Sequence, residues 1–314
     1  MRRLAGRAAL VTGASSGVGA ATAELLAGEG ADIALLARGP GIAEVAGRVA
    51  ERGTRPLGLP ADVTDRPAVE AAFEQADAEL DGLDIVVVAA ASGAFGRFEE
   101  IPARDFDRCV EVTFLGAVNT IRAALPRLER TAGRLVVIGS AVDAIPLTLL
   151  SPYVGAKAAL AAFVDSLRSE LRAASSPVTI SMVRPGAVDT PFWHHLTHPV
   201  DVTPPPLPPL VSYSAESVAQ AVVACAIEPR RDVTVGGMIL ALQLANTVAR
   251  PVTERALALA ARLGRSAAEG DPAPNALWEP SGDGTVAGGI AGRRSLLNAV
   301  RLRGRRPGRL RPGR

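Results

Sequence analysis

Through about residue 236 the chain alternates short runs of Val, Ile, Leu and Ala with longer stretches whose apolar residues recur at helical spacing. The runs at 8–12, 32–36, 55–59, 84–88, 134–138, 178–183 and 232–235 read as strands. Several are apolar at successive positions rather than at every second one, as expected of strands covered on both faces. The stretches at 20–28, 68–80, 105–130, 153–174 and 215–227 read as helices. This alternation predicts an α/β fold with a doubly wound parallel sheet and right-handed crossovers.

Later segments break the rhythm. Residues 187–214 hold all three histidines, Trp193 and a proline cluster, and read as a substrate lid on a first unit spanning 1–236. An apolar helical extension follows over 237–265. The Gly-, Pro- and Arg-rich remainder, 266–314, reads as a loosely packed, flexible basic tail. Between Asp232 and Arg250 there is no formal charge, close to the shortest membrane-spanning length of about 17 residues. Two glycines, Gln243 and Asn246 make that stretch a poor lipid-facing helix, so a short strand followed by a buried or interfacial helix fits better.

Composition narrows the class. With 48% hydrophobic and 21% charged residues the chain has ample core and is not globally disordered. A net charge of +2 gives no reason to expect nucleic acid as a partner. The charge is uneven, since 301–314 carries seven arginines and no acid. Cys109 and Cys225 lie far apart in helix-like stretches, which points to a reducing, cytoplasmic setting without a disulfide framework. The basic N-terminus leads directly into a strand and a glycine turn, not into a cleavage site.

That turn, from Thr12, places Gly13, Gly17 and Gly19 between the first strand and the first helix. Glycines there allow a tight turn and bring backbone N–H groups against a pyrophosphate at the helix N-terminus. At the end of the second strand an acid would accept from the ribose 2′-OH of NAD, whereas an arginine suits NADP. Ala37 stands where the acid would be and Arg38 follows it, which favours NADP over NAD. Asp62, after the third strand, reads either as an adenine contact or as a helix cap with Thr64 and Asp65.

The stretch SPYVGAKAAL contains Lys157, the only lysine beside 33 arginines, and Tyr153, one of two tyrosines. Ser151 reads as an N-cap and Pro152 as the first helical residue, so Tyr153 and Lys157 project from one face. An ammonium and a helix N-terminus beside a phenol are both expected to lower its pKa toward the range useful for proton transfer. Ser140, at the end of a strand, could hold a substrate carbonyl or cap a turn.

With these residues assembled, the chain resembles the short-chain dehydrogenase/reductase family from about Gly6 to Gly237. The matching motifs are Thr12-Gly13-x-x-x-Gly17-x-Gly19, Asp62, Ser140, Tyr153-x-x-x-Lys157 and RPGAVDTP from Arg184 to Pro191. The resemblance implies a single Rossmann-type domain, a nicotinamide cofactor, and hydride exchange between a carbonyl and an alcohol without a metal. It implies that Tyr153 exchanges a proton with the substrate oxygen, Ser140 orients that oxygen, and Lys157 tunes the tyrosine and holds the nicotinamide ribose. It also implies cofactor contacts from Ser15, Ser16, Val18, Val63 and Ala89, and from Pro185, Gly186, Val188 and Thr190 at the nicotinamide. Two positions depart from the pattern. Val88-Ala89-Ala90-Ala91 stands where the family commonly has Asn-Asn-Ala-Gly, and Thr113, which could present a hydroxyl, replaces the asparagine that usually completes a proton relay.

Phe192 and Trp193, directly after Thr190, are expected at the substrate entrance and favour a largely apolar ketone or aldehyde. His194 and His198 have i, i+4 spacing but lack the glutamate of a His-Glu-x-x-His site, so no metal is expected. The extension and arginine tail point to peripheral contact with anionic lipid, set against a solvated tail. The resemblance implies a homo-oligomer. The leading expectation is NADPH-dependent reduction. Its rivals are a catalytically weak nucleotide-binding regulator and a membrane-surface dehydrogenase of lipid or steroid-type substrates.

Overall fold

The structure is a computed structural model, described here for residues 2–145, 147–198, 212–264, 276–280 and 282–289. The side chains of residues 238–240, 242 and 260–264 are outside the description. So are residues 199–211 of the expected lid and the arginine-rich stretch 301–314.

The elements run β1 (Ala8–Thr12), α1 (Gly17–Gly28), β2 (Asp32–Ala37), α2 (Gly41–Glu51), β3 (Pro56–Pro60), α3 (Arg66–Glu79) and β4 (Ile85–Val88). They continue through α4 (Ala103–Val110), a π-helical turn (Glu111–Leu115), α5 (Gly116–Thr131), β5 (Arg134–Ile138), α6 (Ser151–Ala173) and β6 (Thr179–Pro185). After β7 (Val188–Asp189) and β8 (Tyr213–Ser214) come α7 (Ala215–Ile227), β9 (Asp232–Val235), α8 (Gly237–Val248) and α9 (Arg250–Gly264). Seven parallel strands form one sheet in the order β3-β2-β1-β4-β5-β6-β9. The order reverses between β1 and β4, and the crevice at that switch point is where such sheets bind ligands.

The continuous apolar runs have a direct explanation in the two cores. Leu10, Val86, Val88, Leu135 and Val137 face one layer, with Phe73 and Ile121 from the helices. Their neighbours Val11, Ile85, Val87, Val136 and Ile138 face the other, with Leu26, Val45 and Val222. Both faces are sealed, and each such side chain contributes about 1.5–3 kcal/mol on burial.

Three local details differ from the sequence reading. The single helix expected over 105–130 is interrupted by the π-helical turn, a one-residue irregularity that apolar periodicity does not reveal. Helix α6 starts one residue early: Leu150 is the N-cap, and Ser151 makes no side-chain cap bond. The first part of the expected lid is not wholly irregular, since β7 pairs with β8 and Pro191–Trp193 forms a 3₁₀ turn. The apolar stretch after Asp232 becomes β9 and α8. Among the described residues no helix is long and apolar enough to cross a membrane.

Candidate active site

The carboxyl ends of β1, β4, β5 and β6 open on one cavity of about 720 Å³. Its floor at one end is the glycine turn. Gly13 has φ +66°, and an added Cβ would lie 2.8 Å from the Ala90 backbone nitrogen, so β1 and β4 approach as closely as they do only because that atom is missing. Thr12 Oγ1 ties the same two strands together, accepting from Ala89 N (3.1 Å) and Ala90 N (3.4 Å). This supplies the internal hydrogen bonding at the stretch that replaces the usual asparagines.

The N-terminus of α1 follows, where the first N–H groups have no intrahelical acceptor. Ser15, Ser16, Gly17, Val18 and Gly19 all line the cavity there. This cradle of backbone donors at a positive helix end suits an anionic pyrophosphate.

Arg38 and Asp62 form the next wall, with Val63 beside them. Burial alone would raise the Asp62 carboxyl. Hydrogen bonds from Thr64 N (2.9 Å) and Thr64 Oγ1 (2.8 Å), with the charge of Arg108, outweigh it and hold the group below its ordinary value. Asp62 therefore makes the turn to Thr64 while Asp65 caps α3 through Ala68 N, so both features of the cap reading are present but on separate residues. Arg38 lies 3.7 Å from Asp62 and donates to the carbonyls of Ala276 (2.8 Å) and Leu277 (2.9 Å). Within the stretch read from sequence as a loose tail, Ala276 and Leu277 are both buried, Ala276 on the cavity wall and Leu277 beside Ala94, Ile101 and Cys109. Nothing in their spacing signals a contact with residues so far upstream.

At the other end α6 sets Tyr153 and Lys157 in the cavity with Ser140 from the end of β5. The Ser140 and Tyr153 side chains face the same space, and Ser140 Oγ accepts from Val142 N (3.3 Å). Lys157 Nζ donates to the Ile138 carbonyl (2.8 Å) and lies 5.8 Å from the Tyr153 ring centroid. The electrostatics correct one expectation. Burial pushes the Tyr153 phenol up rather than down, against the opposing effect of Ser140. Burial also pulls the Lys157 ammonium down to about 8, opposed by the charge of Asp143. Desolvation penalises both charged forms and dominates.

Thr113 sits inside the π-helical turn but does not line the cavity; Val112 does. Its hydroxyl donates to Ser92 O (2.8 Å) and accepts from Ser92 N (3.1 Å). The hydroxyl is thus committed to fixing the loop after β4. Cys109 joins the same knot through Ser92 O, and burial pushes its thiol up to about 12.

Pro185, Gly186, Val188 and Thr190 line the cavity between these ends. Phe192 packs against Tyr153 with centroids 5.2 Å apart, and Trp193 donates to the Val188 carbonyl (2.9 Å). Ile145, Leu147, Leu150, Ala241, Ala245 and Leu257 complete an apolar chamber around the tyrosine, with His195 also on its wall. Sequence reading had no signal for the α8 and α9 residues in this wall, because only the fold brings them there. His194 approaches the Gly288 carbonyl (2.9 Å), and no three potential metal ligands cluster among the described residues.

A family profile described as short chain dehydrogenase matches residues 7–201. The Bacillus subtilis oxidoreductase YxnA is 29% identical over 258 residues, covering 81% of this chain and 72% of that protein. The Mycobacterium tuberculosis protein named Probable oxidoreductase EphD is 42% identical over 183 residues, 57% of this chain but only 31% of its own length. An alcohol dehydrogenase from the archaeon Thermococcus sibiricus, solved with 5-hydroxy-NADP, superposes with a TM-score of 0.64 at 29% identity, over 73% of this chain and 95% of that one. A short-chain dehydrogenase/reductase from Burkholderia phymatum, solved with NAD, has the same fold at a TM-score of 0.71 and 21% identity, over 80% of this chain and 96% of its own. Sheet order, glycine cradle and the matched region agree, and the chain belongs to the short-chain dehydrogenase/reductase family as an NAD(P)-dependent oxidoreductase.

Proposed function

We propose that the protein reduces a largely apolar ketone or aldehyde with NADPH. The observation that carries this reading is the placement of Ser140 and Tyr153 on the wall of one apolar chamber beside the buried Lys157. A carbonyl oxygen placed against two hydroxyl donors is oriented by them and receives the Tyr153 proton as charge develops on it. The reduced nicotinamide supplies the hydride when bound. Orientation, water exclusion and the proton come from the chain.

The phosphorylated cofactor is favoured because β2 ends at Ala37, without a carboxylate for a ribose hydroxyl, and Arg38 follows. Titration by nicotinamide fluorescence is expected to give tighter binding of NADPH than NADH, with NADPH consumption on bulky apolar carbonyls. Tighter NADH binding would remove the argument from Arg38. Tight binding with no turnover on a broad carbonyl panel would favour a regulatory nucleotide-binding role.

A second reading rests on Leu244, Val248, Val252 and Leu259, which are exposed on α8 and α9 near the chamber. They support presentation of a lipid-type substrate at a membrane surface. The full chain should then co-sediment with anionic vesicles at low salt and less at high salt. Recovery of all protein in the supernatant at both salts would eliminate this reading.

A further inference from the structure

A C-terminal segment lies along the dinucleotide end of the cavity. It begins at the adenosine side, where Arg38 and Arg108 donate to the carbonyls of residues 276 and 277. Trp278 lies under the Arg108 guanidinium, 5.3 Å from ring centroid to Cζ, and donates through Nε1 to Asp105 on α4 (2.9 Å). The chain then crosses the glycine turn: Gly41 N donates to Gly282 O (3.1 Å), Gly284 N to Ser15 O (2.9 Å), and Gly17 N to Thr285 O (2.9 Å). It ends beside the substrate side, with His194 Nε2 2.9 Å from Gly288 O.

The three contacts across the glycine turn are backbone to backbone, and the sequence permits them. A Cβ on Gly41 would lie 2.5 Å from Gly284 N, and a Cβ on Gly288 would lie 2.5 Å from the Thr190 carbonyl oxygen. The glycines that make this region look like a flexible tail are what allow it to lie flat on the cleft. The segment lines the cavity rather than filling it. Ala276, Pro280 and Gly282 face the same space as Arg38, Asp62 and Val18. Gly17 spends its N–H on Thr285, while Val18 and Gly19, next along the helix start, border the cavity.

We propose that residues 276–280 and 282–289 form a strap that completes the dinucleotide site, closes over the bound cofactor and retains it, latched by Arg108, Trp278 and Asp105. This rests on the reading of the cleft as a nicotinamide dinucleotide site. Cofactor exchange then requires the strap to lift, so the strap sets the release rate more than the chemistry. Trp278, Asp105 and Arg108 are positioning residues. They hold the wall and do not touch the reacting atoms.

The test uses the full chain and two variants that loosen the strap at opposite ends, Trp278→Ala and Gly288→Val. NADPH release is followed by stopped-flow displacement with excess NADP⁺. Hydrogen exchange of peptides containing Gly17, Gly41 and Gly284 is measured with and without NADPH. The expected result is release about tenfold faster in each variant, the scale of losing one or two net hydrogen-bonding contacts. The amides of these glycines should be protected by cofactor in the parent chain and less so in the variants. Unchanged release in both variants, with normal binding, would overturn the strap and leave the cofactor reading intact. So would tighter binding in the variants, which would make the segment a plug. No binding of NADPH or NADH by parent or variants would overturn the cofactor reading and the strap with it.

Discussion

Tyr153→Phe should lower carbonyl turnover by ~10²–10⁴-fold, the range for loss of a positioned general acid, while NADPH binding stays close to that of the parent chain. The substitution removes one oxygen and little else. The ring still packs on Phe192 at 5.2 Å, and α6 keeps its place through Leu160 and Val164 in the core. What disappears is the hydroxyl that faces the same space as Ser140, the proton donor assigned to the substrate oxygen. Single-turnover mixing of the NADPH complex with substrate reads the reduction step directly. A rate like the parent's would mean that the proton comes from elsewhere, and the assignment of Tyr153 would fail.

The sheet was legible in the sequence because its strands are sealed on both faces. Val86 and Val87 belong to opposite cores, so the run around them has no polar positions and few competing interpretations. The Tyr153–Lys157 pair was legible because a helical turn is a local relation. Its electrostatics were not. The direction of each pKa depends on how far the groups are taken from water, and proximity of an ammonium to a phenol gave the wrong sign for the phenol. The role of Thr113 was not legible for a related reason. Its position in the motif was clear, but the π-helical turn and the Ser92 backbone decide what its hydroxyl does. The strap was hidden by composition, since glycines that permit close backbone approach look the same in sequence as glycines that permit flexibility.

Lys157→Met should cost ~10²–10³ in turnover, the scale of losing one preorganised charged donor in a dry site, and Lys157→Arg should not restore it. The ammonium is only 3% exposed and donates 2.8 Å to the Ile138 carbonyl, a setting cut for a compact donor. A guanidinium is larger, planar and fixed in its fork, so it cannot take the same place without displacing β5 or Tyr153. The pH dependence gives a readout that simple misfolding would not. Burial lowers the Lys157 pKa to about 8 from the ordinary 10.5, so the charged form is lost as pH rises through that value. If the ammonium holds the cofactor ribose, kcat/KM for NADPH, which reports groups of the free enzyme, should fall by about tenfold per pH unit above that point. The descending limb should vanish in Lys157→Met, leaving a low, flat profile. A limb that persists in the variant would belong to another group. Full activity in Lys157→Arg would show that any cation suffices, removing the physical reason offered for the single lysine in a chain that otherwise uses arginine.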